Sequence, residues 1–151
     1  MYGSPKGHMG PMKEREAISR IASDMSDRLP DAWNSGRLLV MLMGMYGIMN
    51  TEVEKEDGEA LRINPPGKFF PNIMDLRAGM YREGQGTWFS WELQIWSEGT
   101  FKSRFNYEDY PPFPFSPDRK DFIDENNLYP RSEEFMPDWL REKIDAAWNR
   151  I

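Results

Sequence analysis

Apolar side chains recur every three or four residues in three separate segments, over residues 12–29, 69–81 and 137–151. This spacing places them along one face of a helix and leaves the charged residues on the other face. Pro30 ends the first segment, because proline disfavours the helical conformation for the residue before it. The pattern predicts an N-terminal, a middle and a C-terminal helix. The predicted apolar stripe of the last helix consists of Leu140, Ile144, Ala147, Trp148 and Ile151.

A first strand region lies between the first two predicted helices. Residues 37–49 are dense in apolar side chains, but two glycines within them favour a buried strand over a helix. Residues 50–63 alternate between apolar and polar side chains on either side of Asp57-Gly58, a dipeptide typical of hairpin turns. Three antiparallel strands are therefore predicted here.

The second strand region gives the clearest local pattern in the chain. Apolar and polar side chains alternate over residues 88–96, as they do in a half-buried strand. Residues 97–100 contain glycine and predict a turn, after which residues 101–107 alternate again. The sequence thus predicts a second hairpin, in which aromatic side chains pair across the strands.

The order helix, strands, helix, strands, helix predicts an α+β fold with a mostly antiparallel sheet of about five strands. Residues 1–11 are rich in glycine and proline and are interpreted as a flexible tail, and residues 12–151 as a single α+β domain. The prolines of residues 110–115 exclude regular structure. Phe113 and Phe115 are expected to pack that loop against the domain.

Composition and charge restrict the class of partner. The 151 residues carry 19 Lys and Arg against 25 Asp and Glu, so the net charge of −6 repels a nucleic-acid backbone and favours an electropositive partner. The longest apolar run, residues 38–49, is shorter than the roughly 20 residues that a membrane-spanning helix needs. The absence of cysteine is consistent with a reducing compartment. We therefore expect a cytoplasmic protein that binds neither nucleic acid nor membrane.

No group of residues has the spacing of a catalytic, cofactor or metal site. His8, the single histidine, has no neighbouring ligand in the sequence. The loop Gly84-Gln85-Gly86 follows a predicted helix and precedes a strand, the reverse of the order that directs backbone amides at a phosphate. We therefore predict a protein that is not an enzyme and carries no cofactor or metal.

Trp88 and Trp96 fall on the polar side of the alternating strand. Two interpretations stay open for them. Both faces of the hairpin are covered by other elements, or exposed tryptophans anchor a protein interface, where tryptophan is enriched.

Several short segments form a recognisable set. They are Leu29-Pro30-Asp31-Ala32-Trp33, Gly86-Thr87-Trp88-Phe89, Gly99-Thr100-Phe101 and Phe105-Asn106-Tyr107-Glu108-Asp109. Over roughly residues 12–112 the chain resembles the YezG-like family of bacterial immunity proteins, most specifically in the Tyr-acid-acid pattern at the end of the second hairpin. The segment from Tyr129-Pro130-Arg131 to Pro137-Asp138-Trp139-Leu140 is similar to the ending of actinobacterial proteins of this kind. The short middle helix and the proline-rich loop depart from the family pattern.

The resemblance implies an α+β domain that binds and neutralises a toxin, often a nuclease, without catalysing a reaction. An acidic inhibitor gains association rate toward a basic cleft, so the charge is consistent with this function. A second acidic cluster lies at the first hairpin tip, residues 52–59. The predicted partner-binding residues are Trp88, Glu92, Trp96, Glu98, Glu108 and Asp109.

Two other hypotheses come from different classes. A small ligand-binding or enzymatic domain would use a tryptophan-rich pocket, with Glu92 or Asp109 as acid or base. A structural adaptor or a homodimer would form through an exposed sheet edge.

Overall fold

A computed structural model describes residues 6–64 and 69–149. It confirms the α+β fold with N-terminal, middle and C-terminal helices around a five-stranded antiparallel sheet. In chain order the elements are α1 (Pro11–Ser26), β1 (Trp33–Met43), β2 (Tyr46–Lys55), β3 (Ala60–Ile63), α2 (Phe69–Gly79), β4 (Ser90–Trp96), β5 (Phe101–Asn106), α3 (Arg119–Leu128), a 3-10 turn (Glu133–Phe135) and α4 (Asp138–Trp148).

The strand order across the sheet is β3-β2-β1-β4-β5. The central strand β1 pairs with both β2 and β4, and its register places Leu38 opposite Leu93 and Val40 opposite Trp91. These side chains point to the same face, because paired residues in antiparallel strands share a face. The two predicted hairpin turns, at Asp57-Gly58 and at residues 97–100, are confirmed.

The main core lies between this face and the helices α1 and α2. Since both helices present an apolar stripe to the sheet, their buried side chains and those of the strands form one cluster. Its buried members include Ile21, Met25, Leu38, Val40, Phe69, Ile73, Trp88 and Trp91.

A second, smaller core covers one end of the opposite face. There α3, α4 and the proline-rich loop pack over β1, and the buried side chains are Met43, Phe89, Phe122, Leu140 and Ile144. Beyond that end the same face carries charged side chains beside the half-buried Leu39, with Arg37 and Glu92 on neighbouring strands. One face of the sheet is therefore covered along its central strands by α1 and α2, and the other is covered at one end by α3 and α4.

The prediction of a single strand over residues 37–49 is wrong, because the chain turns at Gly44 and Met45 between β1 and β2. Gly44 has a φ of 60°, in the left-handed region that favours glycine. Its N–H donates to the carboxylate of Glu125 at 2.8 Å. The continuous apolar composition concealed this turn, whose partner lies 81 residues further along the chain.

Helix α3 was not predicted from the apolar pattern. Only Phe122 and Glu125 of this helix are buried, which leaves too few apolar side chains for a periodic stripe. A local signal does exist at its start, where the N–H of Asp118 donates to the Asp121 carboxylate at 2.8 Å. An acidic residue three positions after an Asp N-cap is a recognised start signal of helices.

Three predictions about peripheral side chains have different outcomes. Phe113 packs against the rings of Tyr46 and Tyr110 as expected, whereas the side chain of Phe115 is 77% exposed. In α4 the stripe Leu140, Ile144 and Ala147 is buried, but Trp148 is 56% exposed and Ile151 lies outside the described residues.

Residues 1–5 of the predicted tail lie outside the described residues. Further along the tail, Gly7 and Met9 donate backbone hydrogen bonds to the carbonyl groups of Ala78 and Gly79 at the end of α2. Residues 6–10 are thus held against the domain. None of the helices in the described ranges has the length and apolar character required to cross a membrane.

Candidate partner-binding site

The six predicted partner-binding residues are spread along the second hairpin and do not converge on one site. Trp96 and Glu98 lie at its turn, whereas Glu108 and Asp109 follow its open end. The six residues of β5 separate the two groups by about 20 Å, at roughly 3.3 Å per residue. Each end of the hairpin is therefore a separate candidate surface.

Trp88 is a core residue, which excludes it as an exposed anchor. Its relative exposure is 0%, and its ring lies 6.0 Å from that of Trp91 and 5.6 Å from that of Phe105. The strict alternation fails here because β4 begins only at Ser90. The first of the two interpretations, a covered tryptophan, is thus confirmed for Trp88.

The neighbouring Trp91 belongs to the same core. Trp91 stacks on Phe105 with a ring separation of 5.5 Å and an interplanar angle of 4°, and its indole N–H donates to Ser103 at 2.6 Å. The rings of Trp88 and Trp91 fill the core between the sheet and the helices.

At the turn of the hairpin, Trp96 is half-buried beside a shallow groove. The groove has a volume of about 290 Å³ and lies between α1 and the turn, with Trp33 and Phe101 also on its walls. Glu98 is exposed and accepts a hydrogen bond from the hydroxyl of Thr100 at 3.4 Å.

Glu92 lies on the polar part of the sheet, where neighbouring arginines compensate its charge. Arg37 on β1 forms a hydrogen-bonded ion pair with one carboxylate oxygen. Arg104 on β5 donates to the other oxygen at 3.1 Å. Because both oxygens are occupied, Glu92 offers little negative charge to a partner.

Residues 107–109 form an exposed turn after β5, which we call the acidic ridge. Asn106 holds its backbone: the side-chain oxygen accepts from the N–H groups of Glu108 at 3.2 Å and Asp109 at 2.9 Å. The indole N–H of Trp139 on α4 donates to the carbonyl of Glu108 at 2.6 Å. The ridge therefore presents its carboxylates from a fixed backbone.

Arg131 connects the ridge to two other segments. Its guanidinium donates to the carbonyl groups of Tyr107 at 3.0 Å, Phe135 at 2.9 Å and Thr87 at 2.7 Å. The guanidinium also lies over the ring of Phe89, 4.4 Å from its centroid. Burial lowers the pKa of Arg131. This role of Arg131 was missed, because two of its three acceptors, Tyr107 and Thr87, lie 24 and 44 residues away in the sequence.

Gly86 makes room for this arginine. It has a φ of 86°, and a Cβ atom at this position would collide with the Arg131 side chain. The loop Gly84-Gln85-Gly86 joins α2 to β4, which is the helix-to-strand order that the sequence predicts for it.

A cleft of about 550 Å³ lies on one side of the acidic ridge, and we call it the ridge cleft. The exposed rings of Tyr107 and Phe135 are on its walls, with relative exposures of 37% and 40%. Burial raises the pKa of Tyr107, with a further contribution from the negative charge of Glu14. The charged side chains that line the cleft are Glu14, Arg82, Glu108, Arg131 and Glu134.

The carboxylates near the ridge cleft differ in whether they are paired. Glu14 forms an ion pair with Arg82 at 2.8 Å, and Glu133 forms one with Arg141 at 2.9 Å. Within the described ranges, the carboxylates of Glu108 and Glu134 have neither an ion pair nor a hydrogen bond. A second cleft of about 680 Å³ lies on the other side of the ridge, so solvent reaches the ridge from both sides.

The described residues thus define an α+β domain with an acidic ridge between two clefts. Across residues 6–64 and 69–149, no group of three or more histidine or carboxylate side chains is arranged to hold a metal ion. No protein-family model matches the chain, and no curated protein matches its sequence. The likeness to the YezG-like family rests on the short segments quoted above.

Proposed function

We propose that this protein is an immunity protein that binds a cognate toxin with a basic surface, such as a nuclease domain, in the cytoplasm of the producing cell. Neutralisation occurs by stoichiometric occlusion of the toxin, without catalysis. The observation that carries the proposal is the acidic ridge, which combines exposed carboxylates with a backbone fixed by Asn106 and Trp139.

A rigid acidic surface is well suited to bind a basic partner. Association costs free energy when side chains and loops must become ordered, and a turn that is already hydrogen-bonded avoids part of that cost. The net charge of −6 also steers a basic partner toward the protein and raises the association rate at low salt. The Tyr-acid-acid pattern that carries the family resemblance coincides with this ridge.

The test is co-expression with the toxin domain encoded by the adjacent upstream gene, followed by affinity pull-down and a growth-rescue assay. A stable complex that rescues growth is the expected result. If the protein is folded yet forms no complex and gives no rescue, the proposed function is overturned.

Charge reversal then tests the surface. Glu108→Lys with Asp109→Lys is expected to weaken toxin binding by at least about tenfold, because like charges then face each other across the interface. The matched control is Glu16→Lys with Asp27→Lys, which changes the net charge equally at two exposed positions, one on α1 and one at its C-terminal end. Equal affinities for the two double variants would remove the ridge from the binding surface.

A further inference from the structure

We propose that the ridge cleft is the anchor point of the interface and that it takes one lysine or arginine side chain of the toxin. This inference rests on the proposed function and specifies the chemistry of the contact.

The walls fit the stem and the head of a long basic side chain. Tyr107 and Phe135 expose aromatic rings, and Met136 and Pro137 add apolar surface. Apolar walls bury the methylene stem of lysine or arginine, and an aromatic face attracts the cationic head. The volume of about 550 Å³ is ample for one such side chain.

The hydrogen-bonding groups around the cleft distinguish a cationic occupant from an anionic one. Arg131 directs its terminal nitrogens at three backbone carbonyl groups. Its Nε has no hydrogen-bond partner among the described residues, but it is buried beside Gly86 and out of reach of a ligand. Arg82 donates to Glu14 and to the carbonyl groups of Met9, Gly79 and Tyr81. The guanidinium groups are therefore already engaged within the fold.

The carboxylates of Glu108 and Glu134, by contrast, are exposed and make no ion pair within the described part of the chain. They are the charged groups of the cleft that remain available to a ligand. An ionised carboxylate can only accept hydrogen bonds, so the ligand must supply the donors. An incoming ammonium or guanidinium group supplies those donors together with the complementary charge. An anion would instead meet two free carboxylates.

The cleft is formed before a partner arrives. Arg131 binds the backbone of both Tyr107 and Phe135, so the two aromatic walls are fixed relative to each other. Trp139 in turn fixes Glu108 through its carbonyl group. A preformed pocket at the centre of an interface is the usual environment of the side chains that dominate binding.

The experiment measures the affinity of the full-length protein for the purified toxin domain encoded by the adjacent gene, inactivated by mutation. Glu108→Gln with Glu134→Gln is expected to weaken binding by about a hundredfold, since two charge-assisted contacts are lost. The control Glu16→Gln with Asp27→Asn removes the same charge from exposed positions outside the cleft and outside the acidic cluster at residues 52–59, and it is expected to change the affinity less than twofold. Circular dichroism and thermal unfolding establish that both variants fold like the wild type.

A double-mutant cycle identifies the occupant. Each surface lysine and arginine of the toxin is replaced by alanine, and each variant is measured against the wild type and against the Glu108→Gln, Glu134→Gln protein. One basic residue is expected to show a coupling of at least about tenfold, with the others near additivity.

The outcomes separate the two proposals. If the wild type binds the toxin while the Glu108→Gln, Glu134→Gln variant binds equally well, or if no basic residue of the toxin couples to these carboxylates, the cleft inference is overturned and the immunity function stands. If the wild type itself fails to bind and to rescue growth, the immunity function fails and the cleft inference fails with it.

Discussion

Arg77 at the end of α2 and Glu125 on α3 form an ion pair in which both side chains are fully buried, with an N–O distance of 2.8 Å. The pair also forms hydrogen bonds with two backbone groups around it. Arg77 donates to the carbonyl group of Trp88 at 2.9 Å, and Glu125 accepts from the N–H of Gly44 at 2.8 Å. The pair thereby joins the middle helix, the β1–β2 turn and the chain segment that enters β4.

Replacing Glu125 by glutamine is expected to lower the free energy of unfolding by about 3–5 kcal/mol, because it leaves the buried Arg77 charge without its counter-ion. Chemical denaturation monitored by tryptophan fluorescence measures the change. The exposed pair between Glu133 and Arg141 supplies the control, and Glu133→Gln should cost less than about 1 kcal/mol. Similar losses for the two variants would refute the importance of the buried pair.

Gly44 is expected to tolerate no side chain. Its φ of 60° is unfavourable for other residues, and a Cβ atom would collide with the carbonyl oxygen of Asp121. Left-handed backbone strain alone costs about 1–2 kcal/mol, so Gly44→Ala should lower the free energy of unfolding by more than this. Gly58→Ala, at a φ of 89° with no atom within 4 Å of a Cβ, isolates the strain. Equal unfolding free energies for the two alanine variants would show that the collision is relieved without cost.

Trp88 is buried and Trp148 is mostly exposed, so their replacement should lower the stability by very different amounts. Trp88→Ala removes a fully buried ring and should lower the free energy of unfolding by about 3–5 kcal/mol. Trp148→Ala removes a ring that is mostly exposed and should change it by about 0.5 kcal/mol or less. Urea denaturation of both variants measures the difference, and a small effect at Trp88 would contradict its placement in the core.

Burial raises the pKa of Tyr129 above its usual value of 10.0. The folded state then holds the phenolic proton more tightly than the unfolded state does, so the contribution to stability is complete below pH 10 and is lost as the pH rises through the folded-state pKa. The difference in unfolding free energy between the wild type and Tyr129→Phe should be constant from neutral pH to about pH 9. Above that pH the wild type should lose stability relative to Tyr129→Phe. A constant difference up to pH 11 would exclude this linkage; denaturation is measured at each pH.

Asn106 should affect partner binding through the acidic ridge. Asn106→Ala removes the acceptor for the backbone N–H groups of Glu108 and Asp109 and loosens this part of the ridge, so a bound partner must order it again. We expect toxin affinity to fall by about tenfold. Thr100→Ala, which removes a side-chain hydrogen bond at the other end of the hairpin, is the control and should leave the affinity unchanged. Titration calorimetry distinguishes the two.

The parts of the fold that follow local rules were predictable. The alternation in β4 and the glycine-containing turns at residues 57–58 and 97–100 depend on neighbouring residues alone, and the structure confirms them. The β1–β2 turn at Gly44 was not predictable in this way, because the group that binds its N–H comes from α3.

Of the candidate site, only the exposed acidic residues were predictable from the sequence. The Tyr-acid-acid pattern pointed to the acidic ridge, where Glu108 and Asp109 are exposed. The ridge cleft was not apparent, because its walls come from four segments that no spacing rule connects. The interpretation of Trp88 as an exposed anchor was wrong for a different reason. It extended the alternation of β4 to a residue that precedes this strand.

The role of Arg131 has a consequence for the order in which the protein matures during translation. Domains generally fold as units, beginning from the N-terminal side as the chain leaves the ribosome. The sheet is complete once β5 has emerged, but the ridge and the wall at Phe135 have no common tie until Arg131 follows. A nascent chain that ends before this residue therefore carries all five strands without a formed cleft, so the proposed recognition of a partner through the cleft would begin only late in synthesis.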